Sequence, residues 1–264
     1  MQDNAPKYTL KFETGAVTHA GKVRTVNEDS FASHPEFGVW AVADGVGGYE
    51  AGEVASRIVT ESVASIGPPV SPEDQLARFI ERVTRSNDEI RNMAKEREGV
   101  FMASTIAAVL IAGEQFNCVW SGDSRVYRIR DGVIEQISHD HSEVQELLDK
   151  GVISEEEAKD WPRRNVITRA VGVFDDPELE TREGEVENGD VFILCSDGLT
   201  GHVSDDEIRD MITERRPQMA CEELVETTLN RGAKDNVTVI IIRCHRTERT
   251  NFMPGRITTL EPLQ

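Results

Sequence analysis

Residues 37–48, with the sequence FGVWAVADGVGG, constrain the fold of this chain more than any other stretch. Residues 39–43 are continuously apolar, which predicts a core strand that stops at Asp44 and Gly45. Such a strand end presents a carboxylate and a backbone carbonyl together, because Gly45 has no side chain to keep a ligand away. The two groups would form half of a site for a hard cation. Taken alone, an Asp-Gly pair after a strand is more often only a turn.

Other acidic residues occupy the same kind of position along the chain. Asp123 and Asp197 follow the ends of predicted strands, each beside a glycine, and Asp235 directly precedes a predicted strand. Glu28 and Asp29 lie in a polar cluster just before a strand. One such acid is a turn residue, whereas several acids at strand ends predict a shared site.

Carboxylates gathered at one point repel one another, and their pKa values rise unless a cation lies among them. Oxygen ligands without histidine or cysteine favour magnesium or manganese over zinc. Two such ions about 3.5–4 Å apart lower the pKa of bound water and form a hydrolytic centre. Arg24, four residues before Glu28, adds a guanidinium group suited to bidentate phosphate binding. The alternative role for this arginine is a surface ion pair.

The composition is that of an acidic, soluble protein. Its 264 residues, 38% hydrophobic and 29% charged, suffice for one large domain or two small ones. The net charge of −19 argues against nucleic-acid and anionic-membrane partners, because both require a basic face. We find neither a signal peptide nor an apolar run of membrane-spanning length. The four cysteines form no CxxC pair and no zinc pattern, so we expect a cytoplasmic protein with reduced thiols.

Apolar periodicity and turn residues predict strands mixed with helices. Residues 1–12 are expected to form a loose lead-in, 13–244 one domain, and 245–264 a polar tail. Residues 138–172 lack long apolar runs, so we expect an irregular insertion over one end of the sheets, which we call the flap. Strands are predicted at 13–19, 39–43, 103–112, 116–120, 126–129, 133–137, 191–195 and 237–243, and helices at 50–66, 71–98, 142–150, 154–160, 205–215 and 219–230.

Six motifs occur in a characteristic order. They are Val23-Arg24 with Asn27-Glu28-Asp29, Ala43-Asp44-Gly45-Val46-Gly47-Gly48, Gly122-Asp123-Ser124-Arg125, Arg164-Asn165-Val166-Ile167-Thr168-Arg169-Ala170, Cys195-Ser196-Asp197-Gly198-Leu199 and Lys234-Asp235-Asn236-Val237-Thr238. Over residues 13 to 243, nearly the whole chain, this sequence resembles the metal-dependent protein phosphatases, the protein phosphatase 2C family, in their compact bacterial form.

The resemblance implies an α+β fold, a four-layer α/β/β/α sandwich in which two antiparallel β-sheets are flanked by helices. Residues 13–244 would then be the phosphatase catalytic domain. The resemblance also implies a role for each motif residue: Asp44 bridges two metals, Glu28 and the Gly45 carbonyl complete one, Asp197 and Asp235 the other, Asp123 shares a weaker third with Asp197, Arg24 binds the substrate phosphate, and Asp29 and Asn236 lie beside the ligands.

By the same resemblance, a hydroxide bridging two Mn²⁺ or Mg²⁺ ions would attack phosphoserine or phosphothreonine directly, without a phospho-enzyme. The sequence departs from some relatives at Val46, where they carry a histidine that is a candidate general acid. Leaving-group protonation would then come from metal-bound water or another residue. His139 and His141 are candidates, although a solvent-facing or core role is more usual for such histidines.

Three other sequence patterns suggest functions that the residues support less well. His139-Asp140-His141 resembles a zinc pattern but has no third ligand nearby in the sequence. Residues 45–48 lack the lysine of a phosphate-binding loop and the spacing of a dinucleotide fingerprint. Arginines of the flap either contact a phosphopeptide or balance nearby acids; they are Arg163, Arg164 and Arg169.

The leading hypothesis is a monomeric phosphatase whose partners are phosphorylated proteins and which opposes a bacterial Ser/Thr kinase. A second hypothesis is a catalytically silent binding protein on the same fold; the loss of one core acid would support it, and none is lost. A third is a hydrolase of small phosphorylated molecules, which only substrate tests separate from the first.

Overall fold

A computed structural model describes residues 8–47 and 51–248 of the chain. Gly48 of the glycine-rich motif, residues 1–7 of the predicted lead-in and residues 249–264 of the predicted tail lie outside the described residues. Within the described part, no helix combines the length and apolar character that crossing a bilayer would require.

The described chain contains both strands and helices throughout. The strands are β1 (Tyr8–His19), β2 (Asp29–His34), β3 (Val39–Gly47), β4 (Met102–Ser104), β5 (Ile106–Ala112), β6 (Gln115–Ser121), β7 (Arg125–Arg130), β8 (Val133–Gln136), β9 (Glu180–Glu185), β10 (Val191–Cys195) and β11 (Val237–Glu248). The helices are α1 (Ala51–Ala64), α2 (Pro72–Glu96), α3 (Glu143–Asp149), α4 (Glu155–Lys159), α5 (Asp197–Thr200), α6 (Asp205–Thr213) and α7 (Pro217–Asn230).

The strands form two antiparallel sheets. One has the order β1-β11-β10-β7-β8, and the other has the order β2-β3-β5-β6-β9 with β4 paired to β3. A hairpin joins β7 to β8, as predicted, and its turn residues Asp131 and Gly132 have φ angles of 51° and 77°. Two consecutive positive φ angles match the right-handed twist of the paired strands.

Three apolar clusters separate four layers. Residues such as Trp40, Phe192 and Ile240 fill the space between the two sheets. A second cluster packs α1 and α2 on the outer face of the six-stranded sheet, and a third packs α6 and α7 on the five-stranded sheet. The predicted fold, an α+β sandwich with helices outside two antiparallel sheets, is therefore confirmed.

The edges of the predicted domain differ from the structure. Strand β1 begins at Tyr8, inside the predicted lead-in, and β11 continues to Glu248, inside the predicted tail. The two strands pair with each other along their full twelve-residue lengths. The sequence analysis began β1 too late, because it overlooked the alternation of Leu10 and Phe12 with polar residues. It ended β11 too early because residues 245–248 are polar or charged, whereas backbone pairing does not require apolar side chains.

Two predicted strands also have different ends. Strand β3 does not stop at Asp44, because Gly45 and Gly47 continue it by pairing with β4. The single strand predicted at 103–112 is divided at Thr105 into β4 and β5. The division places Thr105 beside Asp44, where its backbone N–H donates to the Asp44 carbonyl at 2.8 Å.

Candidate metal centre

Asp44 lies at the centre of a carboxylate cluster to which both sheets contribute. It is half-buried on β3, directly opposite Asp29 of β2 in the strand register. Thr105 holds its backbone from both sides, because the Asp44 N–H donates to Thr105 Oγ1 at 2.9 Å and the Thr105 N–H donates to the Asp44 carbonyl. Ser124 lies 2.7 Å from the same hydroxyl. These contacts fix the position of the Asp44 carboxylate.

Gly45 and Gly52 leave space that the oxygen atoms around them need. A Cβ atom at Gly45 would lie 2.0 Å from the Gly52 carbonyl oxygen, and one at Gly52 would lie 2.5 Å from Glu28 Oε1 and 2.8 Å from the Gly45 oxygen. The Glu28 carboxylate also accepts the Gly52 N–H in the first turn of α1. The two oxygens predicted to bind one metal therefore lie close to a single point that any side chain at position 52 would cover.

Asn236 and Asp29 brace the loop that carries the predicted phosphate ligand. The Asn236 amide accepts the Glu28 N–H at 2.8 Å and donates to the carbonyls of Ala20 and Val26. Asp29 Oδ2 accepts hydroxyl hydrogen bonds from Ser196 at 2.8 Å and Thr238 at 2.7 Å. Its other oxygen, Oδ1, is buried and has no hydrogen-bond partner among residues 8–47 and 51–248. These contacts connect β2, β10 and β11 beneath the carboxylate cluster.

The carboxylates shift one another's titration. Burial raises the pKa of Asp44 well above its ordinary value, and the charges of Asp29, Asp197 and Asp123 raise it further. Burial followed by the charge of Asp197 does the same to the pKa of Asp123. The pKa of Asp197 rises to about 6, through burial and the charge of Asp235. Burial also raises the pKa of Glu28. Ionising these groups together is therefore unfavourable in the folded chain, and a bound cation would offset that cost.

Arg24 and Arg125 are the cations that act on this cluster. Arg24 Nη2 donates to Asp235 Oδ2 at 2.9 Å with its side chain half exposed, and this contact raises the arginine pKa. Arg125 pairs instead with Asp140, through three hydrogen bonds of 2.7–3.0 Å. Arg24 is thus placed at the open side of the cluster, where an incoming anion could contact it.

The donor set fits a hard divalent cation. The converging groups are carboxylates and one backbone carbonyl, all oxygen ligands of the kind that Mg²⁺ and Mn²⁺ prefer. In the described part of the chain, no group of three or more Asp, Glu, His or Cys side chains is arranged so that it could hold a metal ion as it stands. The fit rests on the convergence at Gly52, on the raised pKa values of the carboxyl groups and on the Asp29 oxygen that has no partner among the described residues.

The flap forms one wall of a cleft that opens from the cluster. It contains α3 and α4, and isolated bridges tie Ser142 to Ile167 and Ser104 to Val171. The cleft has a volume of about 600 Å³ and is lined by Asp123, Asp197 and Asp235 together with flap residues. The size is suited to a small ligand or to part of a peptide.

The two candidate general acids lie elsewhere. His139 is exposed, with Nε2 2.8 Å from the Asp149 carboxylate. His141 is buried, and its ring stacks on Trp120 and accepts the Gly122 N–H through Nδ1 at 3.2 Å. Neither histidine lines the cleft. Their positions match the solvent-facing and core roles that the sequence analysis gave as the usual ones.

Several residues that support the cluster were missed in the sequence analysis. Thr105 was detectable as part of a pair of hydroxyl residues, with Ser104, in an otherwise apolar run, and Gly52 as a glycine in the first turn of a helix. Ser196 and Thr238 belong to two of the quoted motifs, but nothing in their spacing assigned either of them a role. Their contacts depend on strands that are distant in sequence, such as Thr238 to Asp29, 209 residues apart.

A model of one protein family matches this chain. The model, described as protein phosphatase 2C, matches residues 18–238. The chain belongs to the protein phosphatase 2C family. The predicted resemblance is therefore confirmed, and the acid cluster lies at the place where the family motifs converge.

Curated members of the protein phosphatase 2C family extend the comparison. "Serine/threonine protein phosphatase PstP" of Mycobacterium tuberculosis is 38% identical over 239 residues, which are 89% of this chain and 45% of PstP. The chain thus spans less than half the length of that relative. "Serine/threonine phosphatase stp" of Listeria innocua is 32% identical over 248 residues, covering 90% of this chain and 96% of the relative.

Solved structures of phosphatases have the same fold. PppA of Pseudomonas aeruginosa, described as a key regulatory component of T6SS, gives a TM-score of 0.83 at 38% identity and covers 89% of this chain and 100% of its own. The PstP catalytic domain in complex with two manganese ions gives a TM-score of 0.80 at 36% identity, covering 90% of this chain and 100% of that one.

The raised carboxyl pKa values predict how stability depends on pH without metal. Asp29 and Asp197 have folded-state pKa values of about 7 and about 6, against about 3.9 when unfolded. Between these values the folded state binds more protons than the unfolded state, so stability falls as pH rises. With a chelator present, we expect the free energy of unfolding to fall by a few kcal/mol between pH 5 and pH 8. This is the order of magnitude that pKa shifts of this size imply.

The measurement is a series of urea unfolding curves with chelator and with manganese. Manganese should remove most of the fall in the free energy of unfolding between pH 5 and pH 8, since it neutralises the carboxylates. In chelator, Asp29→Asn should make the free energy of unfolding depend less on pH than it does in wild type. The difference between the two proteins isolates the contribution of Asp29. His141 contributes with the opposite sign, because its pKa is lowered in the folded state. A metal-free protein that gains stability across this range would contradict the prediction.

Proposed function

We propose that this chain is a metal-dependent serine/threonine phosphoprotein phosphatase. The observation that carries the proposal is the convergence of mutually repelling carboxylates around Asp44 with one half-exposed arginine, Arg24, which contacts Asp235 where that acid lines the cleft. A phosphate ester needs such an arrangement, because cations must offset the charge of the phosphoryl group and of the attacking oxygen. The names of the relatives support the same substrate class.

The proposed metal ligands are oxygen atoms of the cluster. We propose Asp44 as the shared ligand of two Mn²⁺ or Mg²⁺ ions, with Glu28 and the Gly45 carbonyl at one and Asp197 and Asp235 at the other. Asp123 would contribute to a weaker third. When bound, such ions supply positive charge and lower the pKa of water, which provides a nucleophile at neutral pH. The manganese-bound PstP domain supports this assignment.

The chain's own residues bind and orient the substrate. Arg24 would exchange its contact with Asp235 for the substrate phosphate, which its guanidinium group can bind through two parallel hydrogen bonds. Asn236 keeps the Arg24 loop in place through the three hydrogen bonds described above. Val46 carries no exchangeable side-chain proton, His139 is paired with Asp149, and His141 is buried against Trp120, so we propose that water protonates the leaving group.

The biological setting is also a proposal. We infer that the enzyme is a cytoplasmic monomer that opposes a bacterial Ser/Thr kinase, as its phosphoprotein substrates require a kinase that makes them. Size-exclusion chromatography with light scattering tests the monomer, and fractionation of cells tests the location. A catalytically silent binding protein is disfavoured because every proposed ligand acid is present.

The direct test is phosphate release from a phosphothreonine peptide with manganese, with magnesium and with chelator. We expect turnover with either metal and none with chelator. Folded, metal-binding protein that releases no phosphate from the peptide would overturn the proposal. Turnover of small phosphate esters alone would instead favour the hydrolase of small phosphorylated molecules.

Arg24→Ala should lower kcat/KM for the phosphopeptide by about a hundredfold, the loss expected for a charge-assisted bidentate contact. Most of the loss should be a higher KM, since the arginine contacts the phosphate before and during the reaction. Lys22→Ala removes the same charge from the same loop, outside the cluster, and serves as the matched control. Equal effects of the two substitutions on kcat/KM would contradict the proposed phosphate contact.

A further inference from the structure

The cleft extends beyond the carboxylate cluster between two walls. The flap wall includes the apolar side chains Val144 and Leu148 of α3, and the opposite wall includes the end of α5 and the two residues after it, at 200–202. About 600 Å³ exceeds what a phosphoryl group alone occupies, so residues on either side of a phosphoamino acid would contact these walls. Their chemistry therefore bears on which peptides bind.

Apart from the acids of the carboxylate cluster, the charged side chains on the cleft walls are mainly basic. Lys159, Arg164 and Lys234 face a single outlying acid, Glu155. Arg125 and Asp140 also line the cleft, but they neutralise each other. The net charge of the whole chain is −19. These cleft walls are therefore more basic than the average surface of the protein.

Arg164 in particular has a free charge. Its Nη1 donates to the Lys159 carbonyl at 2.7 Å, which holds the side chain beside α4. Among the described residues, neither Arg164 nor Lys234 has a carboxylate within ion-pair distance. Lys159 contacts Glu156 at 3.3 Å, with both side chains mostly exposed, and such pairs are weak. The wall therefore retains unneutralised positive charge.

The other two flap arginines behave differently. Arg163 pairs with Glu143 at 2.9 Å, and Arg169 pairs with Glu180 at 2.6 Å. Neither lines the cleft. The sequence analysis left open whether the flap arginines contact a peptide or balance acids, and these two balance acids. Only Arg164 combines a place in the cleft with an unpaired guanidinium group within the described part of the chain.

We propose that the cleft selects phosphopeptides that carry acidic residues beside the phosphorylated serine or threonine. The proposal rests on the phosphatase function proposed above and specifies its substrate class. Carboxylates flanking the phosphoamino acid would pair with Arg164, Lys159 or Lys234, whereas flanking lysines would be repelled. Because these pairs are partly exposed, the preference is electrostatic and falls as salt rises.

The experiment compares three phosphothreonine peptides that differ only in their flanking residues, which are glutamate, glutamine or lysine on both sides. With saturating manganese at low salt, we expect kcat/KM to decrease in that order, by about tenfold in total, as two or three exposed ion pairs provide. At high salt the three values should converge. Equal values for all three peptides at low salt would overturn the inference while leaving the phosphatase function intact.

Substitutions in the flap assign the preference to its source. Arg164→Gln should reduce the ratio of kcat/KM between the glutamate and glutamine peptides by about threefold, and Arg164→Glu should favour the lysine peptide. Arg163→Gln removes a neighbouring charge that is already paired and should leave the ratio unchanged. Equal reductions in both glutamine variants would overturn the role of the cleft wall. No turnover of any peptide with manganese would instead overturn the phosphatase function itself.

Discussion

Replacing Asp44 with asparagine should lower kcat/KM for a phosphothreonine peptide by at least about a thousandfold. The substitution removes the carboxylate proposed to hold both cations, and with it several kcal/mol of transition-state charge stabilisation. Asparagine preserves the shape of the side chain and both backbone hydrogen bonds to Thr105. The loss should therefore come from weakened metal binding and not from misfolding. Phosphate release at increasing manganese concentrations measures it.

A second result separates lost charge from a damaged fold. The buried Asp44 carboxylate is repelled by Asp29, Asp197 and Asp123, so Asp44→Asn should be more stable than wild type when metal is absent at pH 8. Manganese should then raise its melting temperature much less than it raises that of wild type. A variant that is less stable than wild type in chelator would show that the substitution damages the fold.

The matched control is Asp131→Asn, which makes the same chemical change at the tip of the β7–β8 hairpin. Asp131 has a φ angle of 51°, a conformation that asparagine tolerates well, so activity and stability should remain near wild type. Metal-dependent turnover by Asp44→Asn within about tenfold of this control would contradict the central role of Asp44.

Gly198→Ala should destabilise the protein by about 3 kcal/mol, the upper part of the usual range for overpacking. A Cβ atom at Gly198 would lie 1.8 Å from the backbone oxygen of Asn236, and neither backbone can retreat easily. The contact lies between Asp197 and Asp235, so separating the two segments should also weaken metal binding. Thermal unfolding with and without manganese measures both effects, and we expect a melting temperature about 6–12 °C lower.

Gly201→Ala is the matched control for this substitution. Gly201 lies at the end of the same short helix, with a φ angle of −66° that any residue adopts, and its Cβ would be 3.3 Å from the Asp197 oxygen. We expect a change below about 1 kcal/mol there. Similar melting temperatures for the two variants would show that the Gly198 contact relaxes at little cost.

The sequence revealed the acids of the cluster because each signal was local. Asp44, Asp123 and Asp197 stand beside glycine next to apolar runs, and such a pattern is visible without knowledge of the fold. Which acids meet was not visible from spacing, since it depends on how two sheets pack. The family resemblance supplied that information, and the structure confirms the layers that it implied, whereas the assignment of the metal ligands stays a prediction.

Missed features depended on contacts between distant segments. Strand β9 has the sequence ETREGE, with no apolar alternation, and it is held at a sheet edge by backbone pairing to β6. Thr105 divides a run that reads as one strand, because the carbonyl of Asp44 takes its N–H. In each case tertiary pairing determined the local structure, so local pattern could not predict it.

The pairing of β1 with β11 also determines when this protein can acquire its fold during synthesis. Residues that touch across the two strands, such as Thr18 and Thr238, are 220 positions apart, and β11 lies between β1 and β10 in the sheet. A nascent chain therefore cannot close this sheet until β11 has left the ribosome. Before then, the loop of Arg24 and Glu28 lacks the hydrogen bonds that Asn236 provides. Such long-range closure is slow and leaves strand edges open to wrong partners. Strand β11, the last of the described strands, thus completes the sheet and also brings Asn236 to the loop of Arg24 and Glu28, so the sheet and the acid cluster form at the same stage of folding.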